Sequence, residues 1–206
     1  MNKKILLVGG FIEIVELCAE NKIKIVGIID SHSDTVYKSI PIIGSDENVL
    51  EWSKQFQQYE IVITPDSPGV RKKLALFYKA HGFRFSKIIS KHAIISKSSK
   101  IYEGTVIQAG SNISSETEIG SFVKINCHAN IMHNVQIGDY TTIAPNAILL
   151  GHVKIGESCY IGANATVLPH ISICHDVTIG AGAVVTKDIV IPLTTYVGVP
   201  ANILNK

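Results

Sequence analysis

An aliphatic residue stands at every sixth position from Ile89 to Ile191. Fifteen of these eighteen anchors are isoleucine, and Leu149, Val167 and Val185 complete the series. A period of six matches neither the 3.6-residue turn of an α-helix nor the two-residue alternation of a strand. It marks a parallel β-helix, in which each hexapeptide forms one flat side of a coil. Four residues after each anchor comes a small or β-branched residue, as at Thr117, Val123, Ala129, Val135, Thr141 and Ala147. Two inward positions per hexapeptide suit the narrow triangular core of a left-handed coil. Three hexapeptides close one coil, so residues 18 apart should stack. Glycine follows the anchor at Gly120, Gly138, Gly156, Gly162 and Gly180. The expectation is that these are corners needing an unusual φ.

The residues before the repeat read differently. Lys4 to Val8 is an apolar strand ended by Gly9-Gly10, and Phe11 to Asn21 follows as a helix. Lys24 to Asp30 is a second strand. Ser45 or Asp46 is expected to cap a helix running to about Gln57. Ile61 to Thr64 is a third strand, Pro68 opens a helix to about His81, and Lys87 to Ile89 leads out. Alternating strands and helices predict a short parallel sheet with helices on its faces. The expected architecture is therefore an α/β domain over 1–88, then an all-β left-handed parallel β-helix over 89–206. Ligands of such sheets lie at the carboxyl ends of the strands. Here those ends are Gly9-Gly10, Asp30-Ser31 and Thr64-Pro65-Asp66.

Hydrophobic residues make up 46% of the chain and charged residues 17%, which builds a core and argues against disorder. The net charge of +2 implies no basic field for nucleic acid. The basic cluster Arg71-Lys72-Lys73 reads as the solvated face of a helix. The apolar run Ile5 to Val8 is too short for a secretory signal, and no segment reaches transmembrane length. Cys18, Cys127, Cys159 and Cys174 form no CxxC, and a reducing cytoplasm is the natural compartment.

Four segments carry a resemblance: Val8-Gly9-Gly10, Ile28-Ile29-Asp30, Ile125-Asn126 with Ile131-Met132-His133, and Val197-Gly198-Val199-Pro200-Ala201. With the repeat, they resemble the hexapeptide sugar acetyltransferases of the sialic-acid O-acetyltransferase and bacillosamine N-acetyltransferase group. That resemblance implies a homotrimer with active sites between adjacent β-helices, acetyl-CoA as co-substrate, a small-molecule sugar acceptor and no metal. It implies His133 as general base, Asn126 and Asn134 beside it, and acetyl-CoA along Thr142, Gly151, Ala163 and Ala181. The acceptor would meet Gly9, Gly10 and Asp30. An imidazole titrating near neutrality can accept a proton from an attacking amine or hydroxyl. A backbone N–H at Gly151, one coil above His133, can donate to the oxygen that gains charge. Several positions depart from the group, among them Ser31 in place of an acid after the second strand and Thr64-Pro65 in place of a glycine after the third. Asn134 stands where relatives carry an acid, and Ile12-Glu13 replaces the later glycine and histidine of the nucleotide loop. The sequence thus predicts crowding and repulsion beside a pyrophosphate.

Eight histidines invite a second reading. His92, His128 and His133 have the ligand spacing of γ-class carbonic anhydrases, which share the β-helix, and three imidazoles plus water make a catalytic zinc site. His152 and His170 stack above Asn134 as an outward polar column, read as a surface ladder. A non-catalytic trimeric scaffold is the third reading.

Overall fold

A computed structural model describes residues 3–31 and 35–204. The first part is a five-stranded sheet with three helices. Its elements are β1 (Lys4–Val8), α1 (Ile12–Glu20), β2 (Lys24–Ile29), β3 (Val36–Tyr37), β4 (Ile40–Gly44), α2 (Val49–Phe56), β5 (Glu60–Ile63) and α3 (Pro68–Ala80). The sheet order is β3-β4-β2-β1-β5. β1 lies parallel to β2 and β5, and β4 runs parallel to β2. Such a central strand is buried on both faces, and Ile5, Leu6 and Leu7 are fully buried.

One pair of strands is new here and one sequence expectation changes. The antiparallel β3–β4 pair has no clear pattern in the sequence, because its strands are short and half exposed. The helix expected from Ser45 starts later, with Asn48 at its N-cap. Ser45 instead donates its N–H to Asn48 Oδ1 at 2.8 Å, which turns the chain back over the sheet end. His32 lies outside the described residues.

The β-helix begins at Ile88–Ile89, which pairs in parallel with Val106–Ile107. Three stacks of two-residue strands follow, each strand pairing with the one 18 residues on, as in Asn112–Ile113 with Asn130–Ile131. The fold is thus a small α/β unit followed by a left-handed parallel β-helix. The first face carries Asn130–Ile131, the second Gln136–Ile137 and the third Thr142–Ile143. Anchors such as Ile107, Ile125, Ile143 and Ile161 are fully buried in one continuous core.

The ladder stops one anchor early. Ile173 bridges Ile189, and Thr178 pairs with Thr195, so the last coil loses the 18-residue spacing. Ile191 is consequently exposed. The corner glycines also differ from expectation. Gly120, Gly138, Gly156, Gly162 and Gly180 have ordinary φ, and the left-handed residue falls two places later, at Phe122, Tyr140, Ser158, Asn164 and Gly182. These glycines serve close approach instead. A Cβ on Gly138 would lie 2.6 Å from the Glu157 nitrogen, and one on Gly156 would lie 2.6 Å from that of His175.

The α/β unit rests on the third face. Arg71, read from sequence as solvated, is 1% exposed. It donates to the carbonyls of Phe122 (2.7 Å), Pro65 (2.8 Å), Asp66 (3.0 Å) and Tyr140 (2.6 Å), and to Thr142 Oγ1 (2.8 Å). Burial lowers its guanidinium to about 10, opposed by Asp66, so it stays charged at neutral pH. Lys124, on the outward side of its strand, is buried too. Its Nζ contacts the Thr64 carbonyl at 3.0 Å and Asp66 Oδ1 at 2.8 Å. Phe122 stacks on Tyr140 at 5.3 Å and meets Phe85 edge-on at 4.7 Å. Among the described residues, no helix is long and apolar enough to cross a membrane.

Candidate active site

The corner between the first and second faces carries His133, Asn134, His152 and His170. His133 and Asn134 form its turn after Asn130–Ile131, with Asn134 in the left-handed region at φ 58. Asparagine tolerates that conformation better than most side-chain-bearing residues. His133 Nδ1 lies 3.0 Å from Asn134 Oδ1. With the amide oxygen accepting, Nδ1 carries the hydrogen and Nε2 keeps its lone pair.

Gly151 lies one coil above. A Cβ there would sit 2.7 Å from both Cε1 and Nε2 of His133, so only glycine lets the ring lie against this coil. The carbonyl of Gly151 accepts from His170 N–H at 3.0 Å. Its own N–H donates to no group among the described residues. A free backbone donor therefore stands beside a ring nitrogen able to accept a proton. His152, next along, meets His133 edge-to-face with centroids 5.2 Å apart, and His170 stacks on His152 at 4.8 Å.

The structure thus brings His133, Asn134 and Gly151 together. The other expected residues lie elsewhere. Asn126 opens the corner between the third and first faces and is 6% exposed; its carbonyl accepts from Ser111 Oγ at 3.0 Å. Ala163 and Ala181 stack at that same corner, one coil apart, where a Cβ on Gly162 would meet the Ala181 nitrogen at 2.6 Å. Thr142 is fully buried under the α/β unit. Its hydroxyl donates to the Asp66 carbonyl at 2.6 Å and accepts from Arg71, so it holds the two parts together.

A second concavity of 190 Å³ lies at the carboxyl ends of β1, β2 and β4. Gly9 and Asp30 line it, and Gly10 N–H donates to Asp30 Oδ2 at 3.0 Å. Ser45, Asp46 and Glu47 line it as well. The sequence reading missed them because it gave this turn the role of a helix cap. Glu13, expected beside a pyrophosphate, lines a separate groove with Glu16, Gln108 and Cys127. The helix start turns its side chain away from the β1 end, so the expected repulsion is displaced.

His92 and His128 belong to the corner that also holds Asn126, while His133 stands on the next one. Among the described residues, no group of three or more His, Cys, Asp or Glu side chains is placed to hold a metal ion.

Residues 116–151 and 152–187 match the family described as bacterial transferase hexapeptide (six repeats). The match lies within the β-helix and covers about a third of the chain. Comparison with curated protein sequences finds no match. Among solved structures, this chain is similar to GDP-perosamine N-acetyl transferase from Caulobacter crescentus, a histidine-to-alanine mutant in complex with CoA and GDP-perosamine. The identity is 26% and the TM-score 0.92, over 100% of this chain and 98% of that one. The acetyltransferase domain of PglB from Neisseria gonorrhoeae, in complex with acetyl coenzyme A, matches at 27% identity and a TM-score of 0.90, over 99% and 100%. WeeI from Acinetobacter baumannii matches at 26% and 0.86, over 98% and 100%.

Proposed function

We propose that this protein is an acetyl-CoA-dependent N-acetyltransferase acting on a nucleotide-linked amino sugar. The observation that carries the reading is the His133 corner: a ring held through Nδ1 by Asn134, with Nε2 beside the free N–H of Gly151. The full-length likeness to an enzyme complexed with CoA and GDP-perosamine supports the substrate class.

His133 Nε2 takes the proton from the sugar amine as its nitrogen attacks the thioester carbonyl. Gly151 N–H donates to the carbonyl oxygen as that oxygen gains charge. The N–C bond forms, the C–S bond breaks, and the proton on His133 can pass to the departing thiolate. No covalent enzyme intermediate and no metal is needed. Asn126, Ala163 and Ala181 lie on a different corner from His133. We assign them to the neighbouring subunit of a homotrimer, whose adjacent β-helices would join the two corners around acetyl-CoA. The concavity at Gly9, Gly10 and Asp30 would take the nucleotide of the acceptor. Thr142 is left out of the acetyl-CoA path by its burial.

The test is acetyl transfer from acetyl-CoA to a panel of UDP-, GDP- and CMP-linked sugars, with wild type and His133→Ala. Wild-type turnover with one of them, lost in H133A while acetyl-CoA binding stays measurable, is the expected result. Turnover retained in H133A refutes the role of His133.

A further inference from the structure

We infer that His152 is a positioning residue for His133, and that it supplies through its ring what Asn134 cannot supply through charge. The inference rests on the acetyltransferase reading for its kinetic consequence, and on geometry alone for its structural one.

The argument starts from the corner register. Glu116, Asn134, His152 and His170 occupy the same turn position in successive coils, with φ of 55, 58, 62 and 64. That shared left-handed geometry places their side chains in one column along the corner. His133 precedes the column, and its ring leans up across Gly151 because no Cβ obstructs it. The lean brings it to His152, edge-to-face at 85°. His170 then backs His152 with its ring only 6° from parallel. Three sides of the His133 ring are therefore fixed: Asn134 on Nδ1, the Gly151 backbone of the coil above, and His152 alongside. Nε2 is left for the acceptor.

The chemistry gives the contact a purpose. When His133 takes a proton it becomes a cation. Asn134 orients the ring but carries no charge to oppose that cation. An aromatic ring that offers its face to the edge of that cation interacts favourably with it through the quadrupole, and this is the arrangement the proposal gives His152. A surface ladder without function predicts no such dependence.

The variants are chosen to fold. Asparagine occupies the same turn position at Asn134, Asn146 and Asn164, and phenylalanine does so at Phe122 (φ 57). His152→Asn removes the ring, and His152→Phe keeps a ring without nitrogens. Under the proposal, H152N lowers kcat about three- to tenfold, the rate equivalent of one edge-to-face pair, with KM for acetyl-CoA unchanged. H152F restores kcat to near the wild-type value. Unchanged kcat in H152N, or an equal loss in H152F, overturns the proposal.

A second measurement is independent of turnover. The ring current of an edge-to-face neighbour displaces the His133 Cε1–H resonance. NMR should show that displacement in wild type and H152F and its loss in H152N. An unmoved resonance in H152N overturns the positioning role whatever the activity. Displacement without any acetyl transfer by wild type instead refutes the acetyltransferase reading and leaves the packing intact.

Discussion

Substituting Gly151 by alanine tests the proposed role of the His133 corner while sparing the fold. The added methyl would lie 2.7 Å from Cε1 and Nε2 of His133. Non-bonded carbons rest at about 3.5–4.0 Å, so one partner must retreat by about 1 Å. Backbone in the coil is held on both sides: His170 N–H donates to the Gly151 carbonyl, and His152 N–H to that of His133. The exposed imidazole is the softer partner and swings outward. It then loses Asn134 at 3.0 Å and its edge contact with His152. An exposed hydrogen bond of that kind contributes about 1 kcal/mol or less, so the melting temperature should move by only a few degrees. A displacement of 1 Å at a reacting group costs about 100-fold in rate. Steady-state acetyl transfer and a thermal melt on the same preparation check both halves. Retained kcat would refute the claim that the Gly151–His133 contact sets the reacting geometry. An unfolded G151A would refute the claim that the imidazole yields before the backbone.

Gly156→Ala should behave in the opposite way, because the added carbon meets main chain of the next coil at 2.6 Å and main chain cannot swing aside; a destabilisation of about 1–3 kcal/mol by denaturant unfolding is expected. Arg71→Met removes donors to four carbonyls and the Thr142 hydroxyl, leaving buried acceptors unmatched. About 3 kcal/mol or more should be lost, read by urea unfolding through Trp52, the one tryptophan of the chain, which packs in the α/β core. An unchanged midpoint would show that Arg71 is not the clamp described.

Much of the candidate site was legible because the repeat converts sequence distance into position. Counting 18 residues placed Gly151 on His133, and the fold keeps that pairing. The same counting put His152 over Asn134 but left it a surface ladder, since a register cannot give ring orientation. Arg71 and Lys124 were not legible. Their charge signals solvent unless an opposing surface is known, and that surface belongs to the other part of the molecule. Ser45, Asp46 and Glu47 were hidden by a helix-start pattern that Asn48 takes over. Glu13 was misplaced because one residue of helix rotates a side chain by about 100°, more than a loop motif can specify.

The sequence by itself determined the β-helix. Each hexapeptide repeats one local rule, an aliphatic anchor inward and a compact residue four places on, and each coil hydrogen-bonds through its backbone to the coils on either side. It also determined the parallel sheet, whose apolar runs admit burial on both faces. Tertiary structure alone decided how the two parts meet: a guanidinium and an ammonium buried against main-chain oxygens and one carboxylate. It also decided why the corner glycines exist. Their φ is ordinary; the neighbouring coil leaves no room for a Cβ. At Gly151 the same lack of room lets the His133 imidazole lie where a side chain would have been.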